Sequence, residues 1–204
     1  MSDVSLADQD QAKYLSTNPV VRRLIGRWLG ELTAQVETNV PTDHPLLDAG
    51  AGAGFSLARF VGARTVLAVD AAPEKVVQVP ERVPLAQPLV ADVTRLPMPD
   101  GAVGWATSIE VLEHLPHPEQ LVAELARVCR SGVIVSVPWE PWFKLGNLGR
   151  GKNVARWGND PEHLQAFGPR SLSALLRASF ERVTVHRCLP WLLAVATEPR
   201  PARR

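Results

Sequence analysis

Residues 48–55 read Asp48-Ala49-Gly50-Ala51-Gly52-Ala53-Gly54-Phe55, and the fold is decided by what surrounds those three glycines. Upstream, PLLDAG (45–50) has the length and polarity of a short buried strand. Downstream, Phe55 to Val61 has helical spacing. Glycine at every second position lets the backbone turn sharply and come close to a ligand. A helix starting there presents free N–H groups and the positive end of its dipole. Strand, glycine turn and helix therefore suggest a nucleotide-binding loop, with a tight unliganded connection as the plain alternative. The dinucleotide fingerprint GxGxxG is not met, because its third glycine position is Phe55.

The alternation continues outward. Before the loop, Asn18-Pro19 reads as an N-cap with proline in the first helical position. Val21, Leu24, Ile25, Trp28, Leu29, Leu32 and Val36 follow at helical spacing, predicting an amphipathic helix to about Glu37. After the loop come RTVLAVD (64–70), a brief helix over Pro73–Val79, AQPLVAD (86–92) and AVGWATSI (102–109). Pro118 to Arg130 places Leu121, Leu125 and Val128 on one face, and Ser131-Gly132 is expected to end that helix as a C-cap. GVIVSVP (132–138) is nearly all apolar, as in a strand covered on both faces. Pro169–Phe180 predicts a further helix, and RVTVHRC (182–188) and WLLAVAT (191–197) lie too close together for a crossover, so they should pair antiparallel.

This order predicts an α/β fold with a doubly wound, mostly parallel seven-stranded sheet and an antiparallel last strand. In such sheets ligands sit beyond the carboxyl ends of the strands. The chemistry is therefore expected at Asp48, Asp70, Asp92, Ser108–Glu110 and Pro138. One domain is expected, divided into a helical cap (10–40), a core (45–138), an insertion (139–168), a helix with a strand pair (169–198) and a frayed tail (199–204).

The GxGxG loop preceded by an acidic residue, an aspartate closing VLAVD, and ADVTRLPMPDGAV (91–103) after the third strand resemble class I S-adenosylmethionine (SAM) methyltransferases. The resemblance is nearest to the type 11, ubiquinone-biosynthesis-like branch. SIEVLEHLPHPEQLVAELARV (108–128), with Glu110, Glu113 and His114, strengthens it. The resemblance implies a Rossmann-like methyltransferase fold, SAM as cofactor, and a binding set of Asp48, Gly50, Gly52, Gly54, Asp70, Ala71, Asp92, Val93, Glu110 and Tyr14. Asp70 would take the ribose hydroxyls, and Asp92 with the Val93 backbone would lie by the adenine amino group. The family commonly carries an aspartate within the fourth strand, where this chain has Val103-Gly104-Trp105.

A sulfonium methyl is already activated, so such an enzyme chiefly holds its acceptor in line and excludes water. A base is needed where the acceptor keeps its proton, and histidine is the usual choice. His163, in NDPEHLQAFGPRSL (159–172), and His114 are the candidate catalytic residues; a turn-stabilising or bracing role is the alternative for each. Glu110, Glu113, His114 and His117 have a spacing that suggests metal ligands, but Pro116 disrupts any single helical face, so no metal is expected. Trp139, Trp142, Phe143 and Trp157 crowd the insertion among Lys144, Arg150, Lys152 and Arg156. They are the candidate substrate-binding residues for an aromatic, polyketide, glycan or lipid-like hydroxyl acceptor. Packing against the sheet and a weak membrane or partner contact are the other readings.

A net charge of +1 argues against nucleic-acid binding. Cys129 and Cys188 form no metal-binding spacing. The polar, acidic start MSDVSLADQD is not expected to direct export, and no run approaches the roughly 20 apolar residues of a membrane span. A cytoplasmic enzyme acting on a small molecule is expected, its oligomeric state open. The competing functions are an NAD(P)-linked oxidoreductase and a non-catalytic SAM-fold binding or regulatory protein.

Overall fold

The computed structural model describes residue 14, residues 16–140, residue 142 and residues 163–201. Phe143, Trp157 and the basic residues Lys144, Arg150, Lys152 and Arg156 lie outside the described residues.

Helix α1 (Pro19–Asn39) begins as the sequence implies: the Asn18 side chain accepts the N–H groups of Val20 and Val21. Strand β1 (Leu46–Ala49) leads through the glycine loop to α2 (Leu57–Phe60), then β2 (Val66–Asp70). The brief helix expected at 73–79 is two single turns, α3 (Pro73–Val76) and α4 (Val79–Arg82), the second opening where Pro80 can start a turn. Then follow β3 (Ala86–Val90), β4 (Val103–Ile109), a 3-10 turn over Leu112–His114, α5 (Pro118–Val128), β5 (Cys129–Pro138), α6 (Pro169–Arg177), β6 (Phe180–Cys188) and β7 (Trp191–Pro199).

The seven strands lie in the order β3-β2-β1-β4-β5-β7-β6, with β7 antiparallel to both neighbours and the other pairings parallel. The order reverses between β1 and β4, so the two strand exits that flank the crevice are Ala49 and Ile109.

Side chains alternate between two cores. On one face Leu47, Val69, Val135 and Leu192 pack with α5 and α6. On the other, Leu46, Ala68, Ile134 and Leu193 pack with Trp28, Leu32 and Val36 of α1 and with Phe60 of α2. The helix expected as a cap is thus one of the sheet's two covering layers. Trp28 has no exposed surface. A ring of that size removes roughly 150–250 Å² from water, worth on the order of 4–6 kcal/mol as an upper estimate.

Two expectations are corrected. Ser131-Gly132 does not cap α5, which ends at Val128; both residues run inside β5. The reason is packing. A Cβ on Gly132 would stand 2.5 Å from Ala196 O and 2.8 Å from Trp105 Cζ3, so the glycine serves strand-to-strand approach there. The frayed tail was expected from residue 199, but Pro199 ends β7 and the Arg200 N–H donates to Ser179 O at 2.8 Å.

Candidate functional site

The loop after β1 folds back over β2: the N–H groups of Gly50 and Ala51 both donate to Val69 O, at 2.8 and 2.9 Å. Gly50 and Gly52 have φ of 88° and 52°, a region most side chains avoid. A Cβ on Gly50 would run into the Val111 side chain, whereas one on Gly52 would meet nothing within 4 Å. Gly52 therefore leaves open a space that its own missing side chain would fill.

Asp70, at the end of β2, ties two loops together. Its Oδ2 accepts the Gly52 N–H at 2.7 Å and its Oδ1 accepts the Ala72 N–H at 2.9 Å. Each carboxylate oxygen has a further lone-pair site, and Asp70 lines the adjoining cleft. That cleft has a cavity volume of about 260 Å³, at the lower edge of small-molecule sites of roughly 300–1,000 Å³. Gly50, Gly52 and Asp70 form one wall; Ile109, Glu110 and His114, at the exit of β4, form the other. Backbone donors, a carboxylate with spare acceptor positions and an open cradle at Gly52 fit the adenosyl and methionyl parts of SAM.

Tyr14 also lines the cleft, its ring stacked on Phe55 with centroids 6.2 Å apart and 14° between planes. The Arg82 guanidinium lies 4.1 Å from the centroid of the Phe55 ring, an arrangement that orders the glycine loop from outside. Phe55, Ser56 and Lys75 line the cleft and were missed in the sequence. Phe55 follows the last loop glycine, and that position alone was signal enough to include it.

Other candidates sit differently. Asp48 is 2% exposed, beneath the loop and not on the cleft wall. Asp48 stands in register with Thr107 of β4, whose hydroxyl donates to Asp48 Oδ1 at 2.6 Å. Burial pushes its carboxyl up from 3.8 to about 7, the Thr107 hydrogen bond opposes this, and the charge of Asp70 adds to it. Gly54 lies at the loop's end, its N–H on Ala51 O at 2.9 Å. Ala71, Asp92 and Val93 are at strand exits but are not among the residues facing the cleft. Asp92 is exposed and accepts the Thr94 hydroxyl and N–H, at 2.7 and 2.8 Å, which hold its carboxyl below the ordinary range.

Glu110 is held with care. It has a φ of 57°, rare for a residue with a side chain. Its N–H donates to Ser136 O at 2.8 Å, and its Oε1 accepts the Trp191 indole N–H at 2.9 Å. Trp191 stacks on Trp28 with centroids 4.6 Å apart, and the Trp28 indole donates to Ser136 Oγ at 2.9 Å. Trp28, Ser136 and Trp191 were read only as core or strand, since nothing in their spacing announces a shared hydrogen-bonded unit.

Beyond Glu110 the chain brings together Glu113, His114 and His163. The N–H groups of Leu164 and Gln165 both donate to Glu113 O, at 2.8 and 3.1 Å, which docks the His163 segment on the 3-10 turn. The His114 and His163 rings stand edge to face with centroids 5.3 Å apart. His117 is elsewhere, its Nδ1 3.2 Å from Glu119 Oε1. Trp139 and Trp142 meet edge to face at the β5 exit, Trp139 bridged to Phe167 and under Arg187, both outside the cleft lining.

A family model described as a methyltransferase domain, type 11, matches residues 47–137. A probable S-adenosylmethionine-dependent methyltransferase of Mycobacterium tuberculosis is 37% identical over 108 residues, 52% of this chain. That match covers 39% of the relative, so the chain spans about two fifths of its length. Magnesium protoporphyrin IX methyltransferase of Synechocystis, solved with bound S-adenosylhomocysteine (SAH), superposes with a TM-score of 0.66 at 15% identity, covering 93% of each chain. A SAM-dependent methyltransferase of Thermotoga maritima, possibly a histamine N-methyltransferase, gives 0.66 at 16% identity, covering 91% of this chain and 97% of its own. At these identities the two structures speak for the fold alone. Among the described residues no helix is long and apolar enough to cross a membrane.

Proposed function

We propose, from the premise that residues 47–137 are a type 11 domain of the class I SAM-dependent methyltransferases, that this chain transfers a methyl group from SAM to a small-molecule acceptor, at a hydroxyl oxygen. The observation that carries the reading is the pairing of two walls across one cleft. The glycine loop with Asp70 forms the cofactor wall, and Glu110 with His114 forms the wall that continues towards His163.

SAM, when bound, supplies a methyl group on a sulfonium that needs no further activation. The residues do the rest. Asp70 offers its spare lone pairs to the ribose hydroxyls, and Gly50 and Gly52 bring backbone close enough to follow the ligand. Asp92 and the Val93 backbone, at the β3 exit beyond the cleft lining, take the adenine end of a cofactor that extends past the cleft, with Ala71 on the same side. Tyr14, backed by Phe55, covers the opening and excludes water. Glu110, fixed by Trp191, faces the cationic side of the cofactor. His114 and His163 hold the acceptor hydroxyl and manage its proton. Trp139 and Trp142 present apolar surface to an aromatic, polyketide, glycan or lipid-like acceptor.

Calorimetry with SAM and SAH tests the first half. Asp70→Asn and Asp70→Ala should weaken SAH binding by about 1.5–3 kcal/mol, the scale of a charged hydrogen bond. Failure of SAM and SAH to bind the wild-type chain ends the reading. For the second half, SAH release is followed with a panel of hydroxylated acceptors. His163→Ala should keep SAH affinity and lose turnover; unchanged turnover removes His163.

A further inference from the structure

We propose that Glu113, His114 and His163 form a binding site for one divalent first-row transition-metal cation, placed on the acceptor side of the cleft. This deepens the methyltransferase reading, and its acceptor role rests on it.

The three residues each offer one ligand atom, and those atoms all lie within 4.8 Å of one another. A cation with metal–nitrogen bonds of about 2.1 Å draws its ligands to roughly 3–3.5 Å apart. Closing the remaining distance takes at most about 1.3–1.8 Å, within a modest side-chain rotation for partly exposed imidazoles. Two imidazoles bound through nitrogen to one such cation stand with centroids about 5 Å apart. The observed separation is 5.3 Å, with 72° between the ring planes.

The expectation of no metal rested on Pro116 breaking any single helical face. The site does not use one. Glu113 and His114 come from the 3-10 turn, and His163 is delivered from the far side of the insertion by the two backbone hydrogen bonds onto Glu113 O. Of the spacing's other two candidates, His117 is turned towards Glu119 and Glu110 accepts the Trp191 indole N–H.

The chemistry of the set narrows the ion. One carboxylate and two imidazoles favour manganese, iron, cobalt or zinc over magnesium or calcium, which prefer all-oxygen sites. Three protein ligands leave positions open for an outside oxygen. Glu113 is 1% exposed, whereas His114 reaches solvent and lines the cleft. The open side therefore faces where an acceptor hydroxyl enters. Glu140 Oε1 lies 3.8 Å from His163 Nδ1, beyond hydrogen-bond length but near enough to become the orienting partner of a ligating histidine after a small shift. With both imidazoles taken up as ligands, it is the cation, in place of the histidines directly, that docks the acceptor oxygen and eases loss of its proton.

The test uses the full 204-residue chain, stripped with a chelator and titrated with Co²⁺ alone. Wild type should take up one equivalent with visible ligand-field bands. His114→Ala, His163→Ala and Glu113→Gln should each weaken uptake at least tenfold, with circular dichroism unchanged for the two histidine variants. The exposed His114 keeps the test valid if the buried Glu113 variant does not fold. Absence of a one-equivalent Co²⁺ complex, or uptake indifferent to both histidine variants, overturns the proposal. SAH affinity is measured on the same samples. A wild-type chain that binds SAH but takes up no Co²⁺ refutes the metal site alone. Co²⁺ uptake without SAH binding upholds the site and refutes the methyltransferase reading.

Discussion

A methyl group added at Gly50 and one added at Gly52 meet different surroundings. Gly50→Ala drives a Cβ into the Val111 side chain at a φ of 88°. Overpacking and left-handed strain together should destabilise the fold by about 2–4 kcal/mol. Gly52→Ala meets no atom within 4 Å at a φ of 52°, so the fold should lose only about 1–2 kcal/mol. Its Cβ would occupy the ligand's space, and SAH affinity should fall more than tenfold. Urea melts and calorimetry on both variants separate the roles; wild-type affinity in Gly52→Ala would remove it from the cleft floor. Asp48 makes a different kind of contribution. Its carboxyl titrates near 3.8 when unfolded and near 7 when folded, because burial disfavours the charge. Between those values the native state holds the extra proton, so stability falls as pH rises from about 4 to about 7, then levels. Asp48→Asn should match wild type near pH 4 and exceed it at pH 8 by about 2–4 kcal/mol. Parallel pH profiles of melting temperature would contradict this.

At the scale of elements, β5 shows where local reading gives way to packing. Glycine after a helical run signals a C-cap and, equally, a close strand approach. Only the presence of Ala196 O and the Trp105 ring against Gly132 decides for the strand. Those partners lie 64 and 27 residues away in sequence, beyond any local pattern. Gly132→Val should lower stability by about 2–4 kcal/mol. The control is Gly104→Ala on the neighbouring β4, where an added Cβ meets nothing within 4 Å and should change stability by no more than about 1 kcal/mol. Equal urea midpoints for the two variants would show that the β5–β7 contact tolerates a side chain. Strand positions were otherwise legible, because alternation and β-branched runs are local. The short helices between β1 and β3 were legible in place but not in division: the stretch read as one helix over 73–79 is two single turns, since four-residue turns carry too few side chains to show a period.

Across the whole molecule, the two sides of the cleft differ in how far apart their parts lie along the chain. One wall of the cleft is made of residues 50–75 and was readable as a candidate ligand loop, because a glycine loop and an acidic strand end are short motifs with a chemical purpose. The other side joins Glu110 to Trp191 and Glu113 to the segment that follows His163. Such pairs depend on sheet order and on the docking of a distant segment, which spacing does not encode. His163 was legible as a candidate and Glu113 as part of a suggestive run, but their meeting was not. The Trp28–Trp191 stack has an optical consequence. Two nearly parallel indoles 4.6 Å apart couple their electronic transitions, and one of them donates its ring N–H to a carboxylate on the cleft wall. The pair should therefore serve as a built-in chromophore: a change in near-ultraviolet circular dichroism when SAH is added is the expected outcome.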